Sequence, residues 1–396
     1  MRWGLLLLAV IVFAVACGEA ETATITPTPA AQPTSAPVGI PAPEPQPSVG
    51  AIAYVSIGGS LWVRQPDGGR ELVFAPENGQ VYFPEWSPDG TRIAFTEVDF
   101  VEEGTDFSLA NIMAVVVVDI DGKEILRVPR AIMPHWSPDG HALAVGAEPG
   151  IEGLIILMTP SIVQVETGEL RHAVVRLRTL DSPRWSPDGN LLVYATDDGL
   201  RVIGFTEGSA PRRVVEAEAY SLFYLTPVWS ADGAVLAFES DRRSGDPPGG
   251  VDSYVMVDVD RGIISRVGDS YPTKCGRASF FRDFEAHWIP RTTFAAWAIT
   301  CTDEQTQPGI WIKDMMGGEE RFLDTSSVAK SVGLLDVSTD GRRIAFSSGT
   351  GGLGYTRQAQ PARGGIVNIY VVSIEGGEPE LLVEDARFPT WQPAFK

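Results

Sequence analysis

The sequence has little of what most catalytic and metal-binding sites are built from. Only 3 cysteines and 4 histidines occur in 396 residues. It contains no Gly-x-Ser-x-Gly elbow, no phosphate-binding loop ending in Gly-Lys-Ser/Thr, and no His-Glu-x-x-His motif. These absences argue against the hydrolase, nucleotidase and metalloprotease classes that carry such motifs, and we expect no catalytic residue, no metal and no cofactor.

Positive charge is also scarce. The chain has 31 Lys and Arg against 51 Asp and Glu, which gives a net charge of −20. An acidic surface repels phosphate backbones and anionic lipid headgroups. Nucleic acid is therefore excluded as a partner, and any contact with a membrane is expected to come from a covalent lipid.

The N-terminal segment has the pattern of an export signal. One Arg precedes an apolar run from Leu5 to Val15, which is too short to span a bilayer and ends at small residues. The following Ala16-Cys17 resembles the lipobox of bacterial lipoproteins, so residues 1–16 are predicted to be removed and Cys17 to carry lipid. The alternative is an ordinary signal peptide with a coincidental Cys. Either way the protein is expected outside the cytoplasm, facing the periplasm or at the cell surface.

Residues 18–49 contain eight prolines and no Lys or Arg. Such a composition cannot bury enough apolar surface to fold, so residues 17–49 are predicted to form the lipid anchor and a disordered Pro/Thr/Ala-rich linker. At about 3.1 Å per residue, the linker could hold a domain up to roughly 100 Å from the membrane. The folded domain is expected over residues 50–396.

One phrase recurs along this domain about every 50 residues. It reads PEWSPDGTRIAF from Pro84, PHWSPDGHALAV from Pro134, PRWSPDGNLLVY from Pro183 and PVWSADGAVLAF from Pro227. Ser-Pro-Asp-Gly suits each position of a tight turn, with Gly supplying positive φ, and the flanking apolar residues read as strands. The Asp is therefore expected to hold its turn. Weaker copies surround His287 and Val337, and FPTWQPAFK closes the sequence.

A second hairpin occurs seven times along the domain, as in LWVRQPDGGRELVF and IYVVSIEGGEPELLV. The N-terminal side of the domain lacks the phrase, and the C-terminal side ends with it. Joining the two ends completes one more four-stranded unit and covers the exposed sheet edges. We therefore predict an all-β fold, a seven-bladed β-propeller closed by pairing of the N- and C-terminal strands. Six blades remain the alternative if a divergent unit is incomplete.

The repeated P-x-W-S-P-D-G phrase resembles the repeat of the TolB-like β-propeller family, which also occurs beside the catalytic domain of prolyl-oligopeptidase relatives. The resemblance covers residues 50–396 and implies the propeller fold. It implies little about function, because propellers serve in binding, scaffolding and catalysis. TolB itself resembles a six-bladed propeller behind an α/β domain for which this chain has no room.

Long connections are predicted on the face opposite the Ser-Pro-Asp-Gly turns, which we call the long-loop face. Binding residues usually lie on such loops, and aromatic and Arg residues are enriched at interfaces. The candidates on this face are Phe100, Phe107, Tyr271, Phe280, Phe281, Tyr355 and Arg357. Cys275 and Cys301 fall in loops on the same face and are predicted to form a disulfide in an oxidising compartment. The alternative is two free thiols.

The residue between Pro and Trp is predicted to face the central channel, because side chains alternate along a strand. These seven positions are Glu85, His135, Arg184, Val228, His287, Asp336 and Thr390. His135 and His287 are three blades apart, too far to share one ion. A polar channel or a small-ligand mouth is expected.

The sequence therefore favours a membrane-tethered, monomeric binding or scaffold module for a protein, peptide or glycan. The alternative is a propeller hydrolase or lyase acting at the channel mouth. Clustered His and carboxylates on the long-loop face would favour the enzyme, and aromatic patches favour binding.

Overall fold

A computed structural model of the chain describes residues 50–101, 108–152, 155–172, 183–196, 199–204, 209–216, 227–240, 253–267, 287–299, 308–315, 319–329, 332–348 and 367–393. Over these ranges the structure is almost entirely strand, with one short helix, α1 (Leu109–Ile112). Within the same ranges no helix is both long and apolar enough to cross a membrane.

The strands form seven antiparallel sheets of four strands each. In blades 1 to 3 the strands follow chain order. Blade 1 consists of β4 (Gly79–Trp86), β5 (Arg92–Asp99), β6 (Met113–Asp119) and β7 (Glu124–Pro129), and blade 2 of β8 (Ala131–Trp136), β9 (Ala142–Glu152), β10 (Ile155–Gln164) and β11 (Leu170–His172). Blade 3 consists of β12 (Arg184–Trp185), β13 (Leu191–Thr196), β14 (Gly199–Gly204) and β15 (Arg212–Glu216).

Blades 4 to 6 repeat this order. Blade 4 consists of β16 (Val228–Trp229), β17 (Val235–Ser240), β18 (Ser253–Asp258) and β19 (Ile264–Val267), and blade 5 of β20 (His287–Trp288), β21 (Phe294–Ile299), β22 (Gly309–Asp314) and β23 (Glu320–Asp324). Blade 6 consists of β24 (Leu335–Val337), β25 (Arg343–Ser347), β26 (Ile369–Ser373) and β27 (Glu380–Val383). Both divergent units are complete sheets, so the count is seven blades.

Blade 7 joins the two ends of the domain. It consists of β28 (Ala386–Trp391), β1 (Ile52–Ser56), β2 (Leu61–Arg64) and β3 (Arg70–Phe74), in that order. Strand β28 pairs with β1 in antiparallel register, with Trp391 opposite Ile52. The C-terminal strand therefore takes the innermost position that the phrase occupies in every other blade, as the sequence predicts.

The Ser-Pro-Asp-Gly turns are held by a repeated hydrogen-bond pattern. In blade 2, Ser137 Oγ donates to Asp139 Oδ1 over 2.6 Å and accepts from the Ala142 amide over 2.9 Å. The amide of Gly140, at φ 72°, donates to the Ser137 carbonyl. The bond from Ser137 lowers the pKa of the Asp139 carboxyl below its ordinary value. The repeated Asp thus holds its turn, as expected.

The core lies in the seams between blades. The second strand of four blades contributes one large aromatic residue that is at most 1% exposed: Phe95, Tyr194, Phe238 and Phe346. The Trp of the phrase adds a second layer, with Trp86 and Trp391 both 4% exposed. Each such side chain removes enough apolar surface from water to stabilise the fold by about 1.5–3 kcal/mol.

Candidate functional site

The seven residues between Pro and Trp all lie on innermost strands, one per blade. Each is half-buried, while the residues on both sides of it are more deeply buried in most blades. The structure places them as follows: Glu85 on β4, His135 on β8, Arg184 on β12, Val228 on β16, His287 on β20, Asp336 on β24 and Thr390 on β28. We refer to these positions as the ring.

Trp side chains tie four of the ring positions to the next blade. The indole Nε1 of Trp136 donates to the Glu85 carbonyl of blade 1 over 3.1 Å. The same bond joins three more neighbouring blades: Trp86 to Thr390 at 3.2 Å, Trp229 to Arg184 at 3.3 Å and Trp288 to Val228 at 3.5 Å. The phrase is therefore repeated because one residue both fills a seam and satisfies the carbonyl of the preceding innermost strand.

Glu85 forms an acid–imidazole pair across a seam. Its Oε2 lies 2.7 Å from His135 Nδ1, and its Oε1 accepts from the Trp136 amide over 3.1 Å. The side chains of Glu85 and His135 are 34% and 17% exposed, so water can reach the pair. One carboxylate thus orients the imidazole and also satisfies a backbone donor of the next blade.

Asp336 makes a similar link across two seams. Its Oδ2 accepts from the Trp391 amide over 2.7 Å, and its Oδ1 lies 3.6 Å from His287 Nδ1. Burial raises the pKa of the Asp336 carboxyl, while His287 and the backbone hydrogen bonds oppose that rise. Asp336 therefore connects blade 5, through His287, to the closing strand of blade 7.

The two histidines occupy blades 2 and 5, and each is engaged with a different carboxylate. Within the ranges that the structure describes, no group of three or more His, Cys, Asp or Glu is arranged to hold a metal ion. In chemical terms the ring offers two separate acid–imidazole pairs and one guanidinium.

An apolar tier that sequence reasoning missed lies two residues before the ring. Phe83, Met133 and Leu334 pack partly buried against one core cluster, and Phe388 belongs to that cluster at 3% exposure. Phe83, Met133 and Phe388 have φ between 51° and 57°, in the left-handed region. Beside Phe83 and Met133 the strand pairing slips. Such bulges re-aim side chains, and the only sequence signal is the following Pro.

Arg387, also missed, lies at the start of β28, the end of the innermost strand that is remote from the Ser-Pro-Asp-Gly turns. It is 4% exposed. Its Nη2 donates to Gln80 Oε1 of blade 1 over 2.7 Å. Its guanidinium carbon lies 5.0 Å from the ring centroids of both Tyr82 and Phe388.

Of the candidates on the long-loop face, Phe100 is described. It is half-buried at the end of β5, where its amide donates to the Asn78 carbonyl over 2.8 Å. Asn78 lies two residues before Gln80, so Phe100 and Arg387 share one corner of the propeller. Six other candidates lie outside the described residues: Phe107, Tyr271, Phe280, Phe281, Tyr355 and Arg357. So do the three cysteines, Cys17, Cys275 and Cys301.

A second surface missed by sequence reasoning is the outer edge of the blades. At one equivalent register the edge strands of blades 1, 3 and 4 carry Arg and that of blade 2 carries His172, paired as Val116–Arg127, Arg201–Arg213, Val255–Arg266 and Ser161–His172. Blades 5 to 7 instead pair an aromatic with an apolar residue, as Trp311–Phe322, Tyr370–Leu381 and Trp62–Leu72. Phe322, Leu381 and Leu72 are 37%, 51% and 52% exposed. Blades 5 to 7 thus give the side wall an apolar sector.

Comparisons with known proteins agree with the fold. No family model matches the chain, and no curated protein matches it. A structure from a study of two prolyl endopeptidases is similar with a TM-score of 0.55 and 14% identity, over 89% of this chain and 50% of that one. A chain of the mitotic checkpoint complex gives 0.50 and 16%, over 74% and 83%. TolB from Acinetobacter baumannii gives 0.43 and 16%, over 87% and 67%.

At these identities the similarities show the fold alone. The protein is a seven-bladed β-propeller, and TolB proteins and propeller peptidases are among the solved structures that it resembles.

Proposed function

We propose that the chain is an extracytoplasmic binding module, held to a bacterial membrane by lipid on Cys17, whose long-loop face binds a protein, peptide or glycan. In this proposal it works as a monomer at the end of the Pro-rich linker. The export-type N-terminus supports the location, and the seven-bladed ring supports a binding role because binding residues commonly lie on loops carried by such a scaffold.

One observation carries the preference for binding over catalysis. The Asp and His residues that the phrase repeats are engaged in structural work: Asp139 holds a turn, and the partners of His135 and His287 each accept a backbone amide of a neighbouring strand. A carboxylate committed to a backbone donor is a poor general base, because giving up that bond opens the seam.

The second candidate function is a hydrolase or lyase at the channel mouth. The 2.7 Å contact of Glu85 with His135 favours it, because a carboxylate that orients an imidazole is a common acid–base arrangement. Replacing His135 with Asn tests this. Turnover of ester, peptide or glycoside substrates by the parent protein that is lost in His135→Asn would establish the enzyme and refute the binding proposal.

The binding proposal is tested with the full chain immobilised and exposed to envelope extract. The triple variant Phe100→Ala, Tyr355→Ala, Arg357→Ala should lose the captured partner. A matched variant on the side wall, Leu72→Ala with Leu381→Ala, should retain it. Capture that survives the triple variant would contradict the long-loop face as the binding surface.

The membrane tether is tested separately. Cys17→Ser should move the protein from the membrane fraction to the soluble extracytoplasmic fraction. Unchanged fractionation, or an intact mass without added lipid on the parent protein, would refute lipidation and leave the binding proposal standing.

A further inference from the structure

Arg387 is a buried cation with neutral partners. It donates to the Gln80 amide oxygen, which also accepts from the Tyr82 hydroxyl over 3.0 Å, and it has a hydrogen-bond interaction with the Tyr82 side chain. Its other close neighbours are the faces of Tyr82 and Phe388. Such cation–π contacts are attractive but bring no opposite charge.

Among the described residues the guanidinium of Arg387 has no counter-charge. Within the described part of the chain no carboxylate lies within ion-pair distance of Arg387, and its Nε is buried without an acceptor. Burial lowers the pKa of the Arg387 guanidinium, and Tyr82 partly opposes this. Arg stays protonated in proteins, and a buried charge is costly unless it is paired.

The surroundings of Arg387 are largely aromatic. The Phe83 and Phe388 rings lie 5.3 Å apart, and Tyr82 lies 5.8 Å from Phe388. Phe83 is only half-buried and stands in the apolar tier that precedes the ring. This region thus combines the planar guanidinium of Arg387, which has no counter-charge among the described residues, with the aromatic rings around it.

We propose that Arg387 forms a carboxylate-binding subsite at the long-loop end of the channel, for a ligand whose carboxylate is joined to an apolar or aromatic group. The guanidinium presents a planar set of N–H donors that matches a carboxylate, and Phe83 and Phe388 supply contact area for the adjoining group. This subsite rests on the proposed function, because it lies on the same face and would select the chemistry of what binds there.

Thermal unfolding of the full chain tests the subsite with two simple probes, acetate and phenylacetate. Total sodium salt is held constant with chloride, so that only the anion changes. A ligand that binds the folded state raises the Tm. We expect phenylacetate to raise the Tm at concentrations at least tenfold lower than acetate, because it also contacts the aromatic walls.

Substitutions of Arg387 and Arg343 show whether the rise in Tm comes from binding at Arg387. Arg387→Gln should abolish both responses. Arg343→Gln is the matched control, because Arg343 also lies over an aromatic ring, that of Trp391 at 5.6 Å, yet stands outside the subsite; it should keep both responses. No rise in Tm with either probe, or an equal rise in Arg387→Gln, would overturn the proposal. A larger response to phosphate than to phenylacetate would overturn the assignment to carboxylates.

A third variant keeps the test decisive if Arg387→Gln does not fold. Gln80→Glu places a carboxylate where the amide oxygen now lies, 2.7 Å from Nη2. It should raise the Tm without any probe and remove the response to phenylacetate, because the site would be filled from within. A Gln80→Glu protein that still responds to phenylacetate would refute the subsite.

Partner capture distinguishes failure of the subsite from failure of the proposed function. Capture that needs Phe100 but not Arg387 would refute the subsite and leave the proposed function intact.

Discussion

The carboxylate of Asp336 accepts a 2.7 Å hydrogen bond from the backbone amide of Trp391, 55 residues further along the chain. This bond fastens the closing strand β28 to blade 6, on the side of β28 away from β1. It is the same contact that Glu85 makes with the Trp136 amide between blades 1 and 2. An acidic ring residue therefore caps the innermost strand of the following blade.

The Asp336 contact predicts a specific pH dependence. Burial raises the folded-state pKa of this carboxyl above its unfolded value, so folding favours the protonated form. Its favourable contribution is present below the unfolded pKa, about 4, and is lost as pH rises through the folded pKa. The Tm of the parent protein minus that of Asp336→Asn should therefore fall as the pH rises above about 4. A difference that is flat or that rises with pH would contradict the burial of this group.

The closing strand predicts a large effect of one aromatic residue. Trp391 is 4% exposed and packs in a cluster with Tyr54 and Ile369. Trp391→Ala should lower the free energy of unfolding by about 3–5 kcal/mol, measured by denaturant titration. The control Leu72→Ala, at an exposed position, should change it by less than about 0.5 kcal/mol. Equal stabilities for the two variants would mean that β28 does not close the ring.

The turn serine predicts both a stability loss and a change in acid sensitivity. Ser137→Ala removes the bonds to Asp139 and to the Ala142 amide and should cost about 1–3 kcal/mol. The lowered pKa of Asp139 means that its contribution is present above the unfolded pKa and is lost as pH falls through the folded pKa. Ser137→Ala should therefore lose less stability on acidification than the parent protein. Ser326→Ala, at an exposed turn, is the control.

The disulfide between Cys275 and Cys301 stays a prediction. A bridge would close a loop of about 25 residues, for which chain-entropy estimates give roughly 3 kcal/mol. Alkylation of the exported protein without reduction should add no mass at these two cysteines, and alkylation after reduction should add two groups. Two groups added before reduction would show free thiols instead.

Much of the fold could be predicted because its information is local. Ser-Pro-Asp-Gly specifies a turn, the apolar residues around it specify strands, and the repeat count with the split phrase specifies the closed ring. The turn and strand inferences use residues that are adjacent in the chain. That the residues between Pro and Trp line a central channel stays a prediction.

The missed features depend on neighbours that are remote in the chain. Arg387 meets Gln80 across 307 positions, and nothing near Arg387 in sequence marks it as buried without a counter-charge. The left-handed backbone of Phe83 arises from a pairing slip between β4 and β5, for which sequence offers only the following Pro. Predicting the apolar sector of the side wall would have required the pairing register of every edge strand, which the sequence does not show.

The position of β28 at the end of the domain has a consequence during synthesis. Blades 1 to 6 each consist of strands consecutive in the chain, so each can pair soon after it leaves the ribosome. Blade 7 cannot, because β1 emerges first and waits for β28. A chain interrupted before β28 keeps an unpaired inner edge on β1, and exposed strand edges of this kind promote aggregation until they are covered.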